Sequence, residues 1–403
     1  MIKHVFKLIW NKKKSNVLIT IEILCSFLVL FTVVTMGIVS LDRYYQPLGF
    51  TYKDVWLIDV NSRLPFDSTY NSVKRTTVQQ LLLTIRHMPE IESVCAWAVP
   101  PYSMYMSTWG AEVNGKFVRI AIHNSSEEAK DVLGLQLVEG RWFEASDKSL
   151  NWQPVVVNKR LAQERFGSES ALGKNPFPPG DEPGTRTEKD YRVIGVISDF
   201  RKGGEFSESM NCAIEYFDIE NTTQAVSSNL LIKVKPGTTV AFKEKLDRAV
   251  TSVAKGWSFE IKTLEEMRSV DFKPRITFMI AVGLIAGFLL LMVALGLIGV
   301  LWQNVSRRTT EIGLRRALGS TEHNIYKQIL GELFVLTSFG LLIGTIIIIQ
   351  FPLLDLIAIV PTNIYAISFL ISIGLMYLLT LICGLYPSLL AIEVQPAEAL
   401  HYE

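Results

Sequence analysis

The chain alternates between long uncharged runs and one long polar stretch. Residues 23–41, 276–306, 333–354 and 364–392 each lack a charged side chain. A bilayer core about 30 Å thick takes ~20 helical residues, so each run predicts a transmembrane helix. The first run keeps bulky β-branched residues to its end and has no small-x-small cleavage pattern, so it reads as a span rather than a cleaved signal. At 1.5 Å per residue the run 276–306 would be about 46 Å long, which predicts a helix that outgrows the bilayer as a stalk.

Between the first two runs, residues 42–275 alternate short apolar stretches with amphipathic ones. Residues 54–60, 91–99, 117–122, 191–200, 230–235 and 259–264 predict strands. Residues 72–88 and 240–254 have helical periodicity. Residues 154–167 read as strand then helix, with Gly167 as the stop. Residues 175–185 form a Pro/Gly-rich loop. The fold class is therefore a membrane protein with four transmembrane α-helices and a large α/β extracytoplasmic domain between the first and second spans. The expected segments are an interfacial amphipathic helix (1–16), span one (17–41), the α/β domain (42–275), span two with its stalk (276–306) and a cytoplasmic loop (307–325). Span three (326–354), a short outer loop (355–363), span four (364–392) and a cytoplasmic tail (393–403) complete the chain.

Composition agrees with this reading, since 49 % of residues are hydrophobic. The net charge of +1 hides local segregation. Lysines and arginines cluster before span one and between spans two and three, which predicts that both segments and both termini are cytoplasmic. The basic segment 1–16 suits an interface with anionic lipid or serves as a plain flank. Nothing in the sequence asks for nucleic acid. No CxxC or HExxH supports a metal, so no metal or other cofactor is expected on this chain. Cys95 and Cys212 fall in the polar domain and are either one disulfide or two buried thiols.

Residues 167–175 (GSESALGKN) imitate a phosphate loop, but five residues separate the glycines and Asn175 stands where a magnesium-binding hydroxyl belongs. Asp199 with Arg201, and His123 near Ser125, are the other candidates for chemistry, and solvated loop residues would look the same. No catalytic set emerges, so the chain is expected to be non-catalytic. Gly283 and Gly287 form a GxxxG and are a candidate dimer face.

The segment 306–325 is different. Arg307 and Glu311, and Glu311 and Arg315, are i,i+4 pairs, with Arg308 and Arg316 beside them. Ile312, Leu314 and Leu318 lie largely elsewhere and can dock on an apolar surface. Gly313 lies within the same turn, Gly319 is a natural helix stop, and Ser320 or Thr321 can cap the next helix. Two readings stand for this short helix: a docking element for a cytoplasmic partner, or an anchor on anionic lipid.

The stretch RRTTEIGLRRALGST resembles the loop of the MacB/FtsX-type ABC transporter permeases. VEGRWFEASD, VVVNKRLAQERFGSESALGK, YRVIGVISDF and the terminal QPAEAL are similar to further stretches of that family, in the same order. The resemblance implies that Arg307, Arg308, Glu311, Ile312, Gly313, Leu314, Arg315, Arg316 and Gly319 form a coupling helix for a separate cytoplasmic ABC ATPase. ATP and Mg would be bound by that ATPase. It implies a second permease subunit, as a homodimer or a paralogous heterodimer, and a MacB-like periplasmic core domain moved by mechanotransmission in the inner membrane. Export or efflux is the expected task, with a periplasmic adaptor and an outer-membrane channel as further partners. The alternative is a signalling or regulatory subunit whose outer domain senses a ligand or activates a cell-wall enzyme. His401 stands where the family often has Arg. The chain begins at the interfacial helix, which implies a permease without a fused ATPase domain.

Overall fold

The computed structural model describes the chain except residues 1–12, 62–69, 114–115, 178–189, 307–313, 315–317, 355–359, 394–403 and the single positions 223, 225, 228 and 240. It divides into two compact units, residues 1–42 with 276–403 and residues 43–275.

The α/β unit contains two sheets. The smaller has the order β10-β1-β9-β2, from β1 (Val55–Asn61), β2 (Ile91–Ala96), β9 (Asn229–Val234) and β10 (Ser258–Thr263). All its pairings are antiparallel. Helix α2 (Tyr70–Arg86) joins β1 to β2, and α5 (Ala241–Val253) joins β9 to β10. This is the split β-α-β arrangement of ferredoxin-like folds. Strand alternation sends Trp56, Ile58 and Val60 of β1 to the helix face, where they meet Val78, Leu81 and Ile85 of α2 and Phe242, Leu246 and Val250 of α5. Arg75 of α2 is buried and donates to the carbonyls of Ile219 (2.6 Å) and Gln224 (2.7 Å), which fixes the loop before β9.

Everything between β2 and β9 is an insertion. It builds a mixed sheet with the order β3-β4-β8-β6-β7-β5, from β3 (Thr108–Val113), β4 (Lys116–Ser125), β5 (Leu137–Gly140), β6 (Gln153–Asn158), β7 (Tyr191–Ile197) and β8 (Asn211–Tyr216). The run of valines in β6 is unbroken because both faces are covered. Val155 and Val157 face one core with Leu161, Tyr191 and Val193, while Val156 faces another with Ile197 and Ile214. That second core also takes Leu57, Cys95 and Leu231 from the small sheet, so it joins the two lobes. The backbone bridge Trp97–Ser125 and the bond from Ala98 N–H to the Asn124 carbonyl (3.0 Å) reinforce the junction. Strands β3, β5 and β8 and the short helix α3 (Ala129–Leu133) are absent from the sequence reading.

Cys95 and Cys212 are free thiols, both buried in the shared core. Burial raises the pKa of each, that of Cys212 to about 12. Of the two alternatives, the buried thiols hold.

The other unit is helical, with α1 (Lys13–Tyr45), α6 (Leu264–Ser306), α7 (Glu322–Leu353) and α8 (Thr362–Glu393). Each contains a stretch long and apolar enough to cross a membrane. Helix α6 begins at Leu264, within the α/β unit, and runs through Pro274 without a break. Helix α8 continues past Pro387 to Glu393, so its last apolar residues extend the same helix. Within the helical unit, Ile23 and Phe27 of α1 pack with Val293 and Leu297 of α6 and Leu333 and Leu336 of α7. Thr337 and Thr380 share a hydrogen bond of 3.0 Å between α7 and α8, and Ser338 and Tyr377 share one of 2.8 Å. Such bonds add to van der Waals packing where lipid supplies no hydrophobic drive.

Small residues bring α7 against α1. A Cβ at Gly344 would lie 2.5 Å from the Phe27 ring, whereas one at Gly374 would meet no heavy atom within 4 Å. Gly344→Val should therefore destabilise the purified protein by about 2 kcal/mol more than Gly374→Val, as read from thermal unfolding of the two variants in the same detergent.

Candidate functional site

The sequence places its strongest candidate between α6 and α7. Arg307, Arg308, Glu311, Ile312, Gly313, Arg315 and Arg316 lie outside the described residues. What is described begins at Leu314, which is helical and accepts a 3.0 Å hydrogen bond from the Leu318 N–H. That i→i+4 bond is one α-helical turn. It puts Leu314 and Leu318 on one side of the helix, and they are 50 % and 79 % exposed. An apolar pair this open is a surface that something else can cover.

The turn stops on Gly319, whose φ of +92° lies in the left-handed region. Only glycine adopts it without a Cβ penalty. Thr321 holds the N-cap position of α7 with extended backbone, but its side chain makes no capping bond. The cap rests instead on the backbone, where the Asn324 N–H donates to the Thr321 carbonyl at 3.0 Å. Four residues later Ile325 is buried.

Gly283 and Gly287 lie on α6, and a Cβ at either would meet nothing within 4 Å. Around them Ile280, Leu284, Ile285 and Phe288 are more than half exposed. Beyond residue 275 the buried stripe of α6 is narrow and consists, among the described residues, of Ala286, Val293 and Leu297. Glu22 of α1 packs against the same helix at Gly296, where a Cβ would fall 2.6 Å from a carboxylate oxygen.

The other sequence candidates are structural. Arg201 is 1 % exposed and donates to the carbonyls of Gln46 (2.8 Å), Ser207 (2.9 and 3.1 Å) and Glu205. Asp199 accepts from the Arg160 N–H (3.0 Å) and from the Asn158 side chain (3.2 Å), at the start of α4 (Lys159–Phe166). Asn158 itself caps α4 through the Leu161 N–H (3.2 Å) and accepts from the Cys212 N–H (2.9 Å). The false phosphate loop lies along β7, with the Gly173 N–H on the Val193 carbonyl (2.8 Å) and the Val193 N–H on the Lys174 carbonyl (3.0 Å). In VEGRWFEASD, Arg141 forks onto Asp147 at 2.6 and 2.8 Å. Burial raises the Asp147 pKa, but the Arg141 guanidinium and the Glu144 N–H outweigh it and hold the carboxyl low. Gly140 is required there because a Cβ would meet the Ile194 carbonyl oxygen at 2.3 Å.

These stretches are the ones that comparison with known proteins finds. Residues 23–249 match the model of the MacB-like periplasmic core domain, and residues 283–396 match that of the FtsX-like permease C-terminal region. The chain belongs to the MacB/FtsX-like permease family. It is a multi-pass membrane protein, with the MacB-like domain between the first and second of its four spans. The macrolide export ATP-binding/permease protein MacB of Aggregatibacter actinomycetemcomitans is 26 % identical over 237 residues, 58 % of this chain. The chain spans about a third of that protein's length, as the match takes in 36 % of it. The ABC transporter permease YvrN of Bacillus subtilis is 25 % identical over 304 residues, 70 % of each chain. The crystal structure of the periplasmic region of MacB from Actinobacillus actinomycetemcomitans aligns with a TM-score of 0.36 at 18 % identity, over 57 % of this chain and 97 % of that one.

His123 is fully buried in the MacB-like domain, 5.4 Å from the Trp97 ring and 5.5 Å from Phe200. Its Nδ1 has no partner among the described residues, and neither does the neighbouring Ser125 Oγ. Burial, helped by Lys202, lowers the imidazole pKa from 6.5 to about 3. Between those values the unfolded chain binds the proton and the folded one does not. Stability should be complete above pH 6.5 and fall by about 1.4 kcal/mol per pH unit towards pH 3. Urea titrations followed by tryptophan fluorescence at several pH values would show this slope, and His123→Phe should flatten it.

Proposed function

We propose that this chain is the permease of an ABC-type complex, in which a cytoplasmic ATPase drives movement of the MacB-like domain for export or efflux of a periplasmic or membrane substrate. The single observation behind the coupling role is the short helical turn between α6 and α7, with Leu314 and Leu318 open and Gly319 ending it in the left-handed region. A helical turn with a defined stop gives a partner a fixed place to dock. The arginines 307, 308, 315 and 316 around Glu311 add charge to that apolar pair, a combination suited to a groove on a folded partner. In this reading ATP and Mg sit on the ATPase, and the permease contributes no catalytic group. Positive charge before span one and between spans two and three supports cytoplasmic termini in an inner membrane.

The chain purified alone should hydrolyse no ATP. In the complex purified from its native host, Glu311→Lys or Gly313→Trp should reduce the ATPase recovered with the permease by at least about tenfold, the effect expected at the centre of an interface. Recovery and ATP-driven output at wild-type levels in both variants would exclude the coupling role.

The open face of α6 at Gly283 and Gly287 supports a second permease subunit, because close approach of two helices needs small residues there. A Cβ at either position meets no heavy atom within 4 Å, so Gly283→Leu with Gly287→Leu should retain the folded protein while dimer cross-linking through α6 is lost. Unchanged cross-linking would place the dimer contact on another face.

A further inference from the structure

The α/β unit holds a cavity of about 560 Å³ at the junction of its two lobes. That size lies in the range of small-molecule sites, which are mostly apolar with a few placed polar groups. Leu57, Phe217, Val226 and Met267 supply the apolar wall. Two charged side chains reach the cavity, Asp59 and Lys262. They are not equivalent. Lys262 is 2.6 Å from Glu260 and so already neutralised. Asp59 has no hydrogen bond or ion pair among the described residues, although it is half-buried in β1. Its direct neighbour across the β1–β10 pairing is Glu260, a second carboxylate. Burial first, then Glu260, raises the Asp59 pKa, with Lys262 and Lys74 acting more weakly the other way. For a half-buried carboxylate that faces an apolar cavity beside a like charge, those two lysines offset burial only in part, and an incoming cation would stabilise it further.

We propose that this cavity binds an amphipathic organic monocation, whose apolar body lies on Leu57, Phe217 and Met267 and whose ammonium group meets Asp59. One wall is the loop after β2, which carries Ser103 and Tyr105. Lys202 holds that loop by donating to the Ser103 Oγ at 3.4 Å and to the Tyr105 carbonyl. The wall is thus fixed from behind by an amine that faces the loop backbone, and Asp59 is left as the charge the ligand would answer. Binding here needs no ATPase and is independent of the coupling role proposed above.

The test uses the full chain in lipid nanodiscs and two probes, dansylcadaverine as an amphipathic monocation and its N-acetyl derivative as the uncharged form. Fluorescence titration should show saturable binding of the cation above that to empty nanodiscs, with the acetylated probe bound at least about tenfold more weakly. Asp59→Asn should weaken the cation by the same factor, and Asp59→Glu should restore it to within about threefold. Met267→Trp, which fills the cavity from α6 and leaves Asp59 in place, should abolish binding and serves as the second variant if Asp59→Asn melts early. Equal binding of the two probes, equal binding to wild type and Asp59→Asn, or no saturable signal would overturn the proposal. Failure here leaves ATPase recovery untouched, and failure of the coupling test leaves this titration untouched.

Discussion

The small sheet depends on a strand that the ribosome makes late. Strand β9 lies between β1 and β2 and pairs with both, yet it follows β2 only after the whole six-stranded lobe has been made. Until it arrives, Ile58 and Val94 have no neighbour between them to close the apolar layer over α2. The pairing is therefore non-local, and the entropy of closing so long a loop must be met before the sheet contributes. A compact insertion lowers that cost by holding its own ends together. The bridge between Trp97 and Ser125 does this next to β2, and the bond from the Phe217 N–H to the Ser125 carbonyl (2.8 Å) does it on the way to β9. The lobes thus share a core because one completes the other.

The helical unit obeys a different constraint. Its backbone polar groups are satisfied within each helix, as hydrocarbon requires. Specificity between helices is then left to shape and to a few hydroxyls. Gly340 and Gly344 admit Ile23 and Phe27 of α1, and the pair Thr337–Thr380 sets the register of α7 on α8. Helix α6 takes little part in this packing, since its outward side carries Phe278, Leu284, Phe288 and Leu295 in the open. Lipid or protein must cover that side.

Much of this was legible in the residues. Uncharged runs mark the four spans, and the α/β character of the domain between them follows from the valines of β6 and the periodicity of α2 and α5. The strands that escaped have physical reasons. In β8, Asn211 and Glu215 are buried, with Asn124 donating to Glu215 at 3.4 Å, so the strand carries polar residues inward and breaks the alternating pattern. Strand β5 is a four-residue edge with largely exposed side chains, and no burial shapes its sequence. Strand β3 contains Gly110, which accommodates the Phe117 ring of the neighbouring strand rather than offering a side chain. Sheet order was illegible because an inserted lobe separates the central strand from its partners. At the candidate site the stop at Gly319 could be read from composition alone, whereas the absence of a Thr321 side-chain cap could not. The structural roles of Arg201 and Asp199 were also hidden, because a satisfied strut and an active-site charge look alike in one dimension.

The two connections of the MacB-like domain lie side by side, with the Tyr44 ring 6.3 Å from that of Phe272. After α1 ends at Tyr45, the chain is caught at once by the large lobe: Arg201 donates its side chain to the Gln46 carbonyl at 2.8 Å and its backbone N–H to the Leu48 carbonyl at 2.9 Å. The departing connection has no such detour, because Thr263 of β10 is followed directly by Leu264 of α6. Both nevertheless meet the segment after Arg201: the Phe206 ring lies 6.0 Å from that of Tyr44 and 5.2 Å from that of Phe272, and Arg268 pairs with Glu205. One short segment thereby fastens both ends of the domain, so a change in it would loosen both at once.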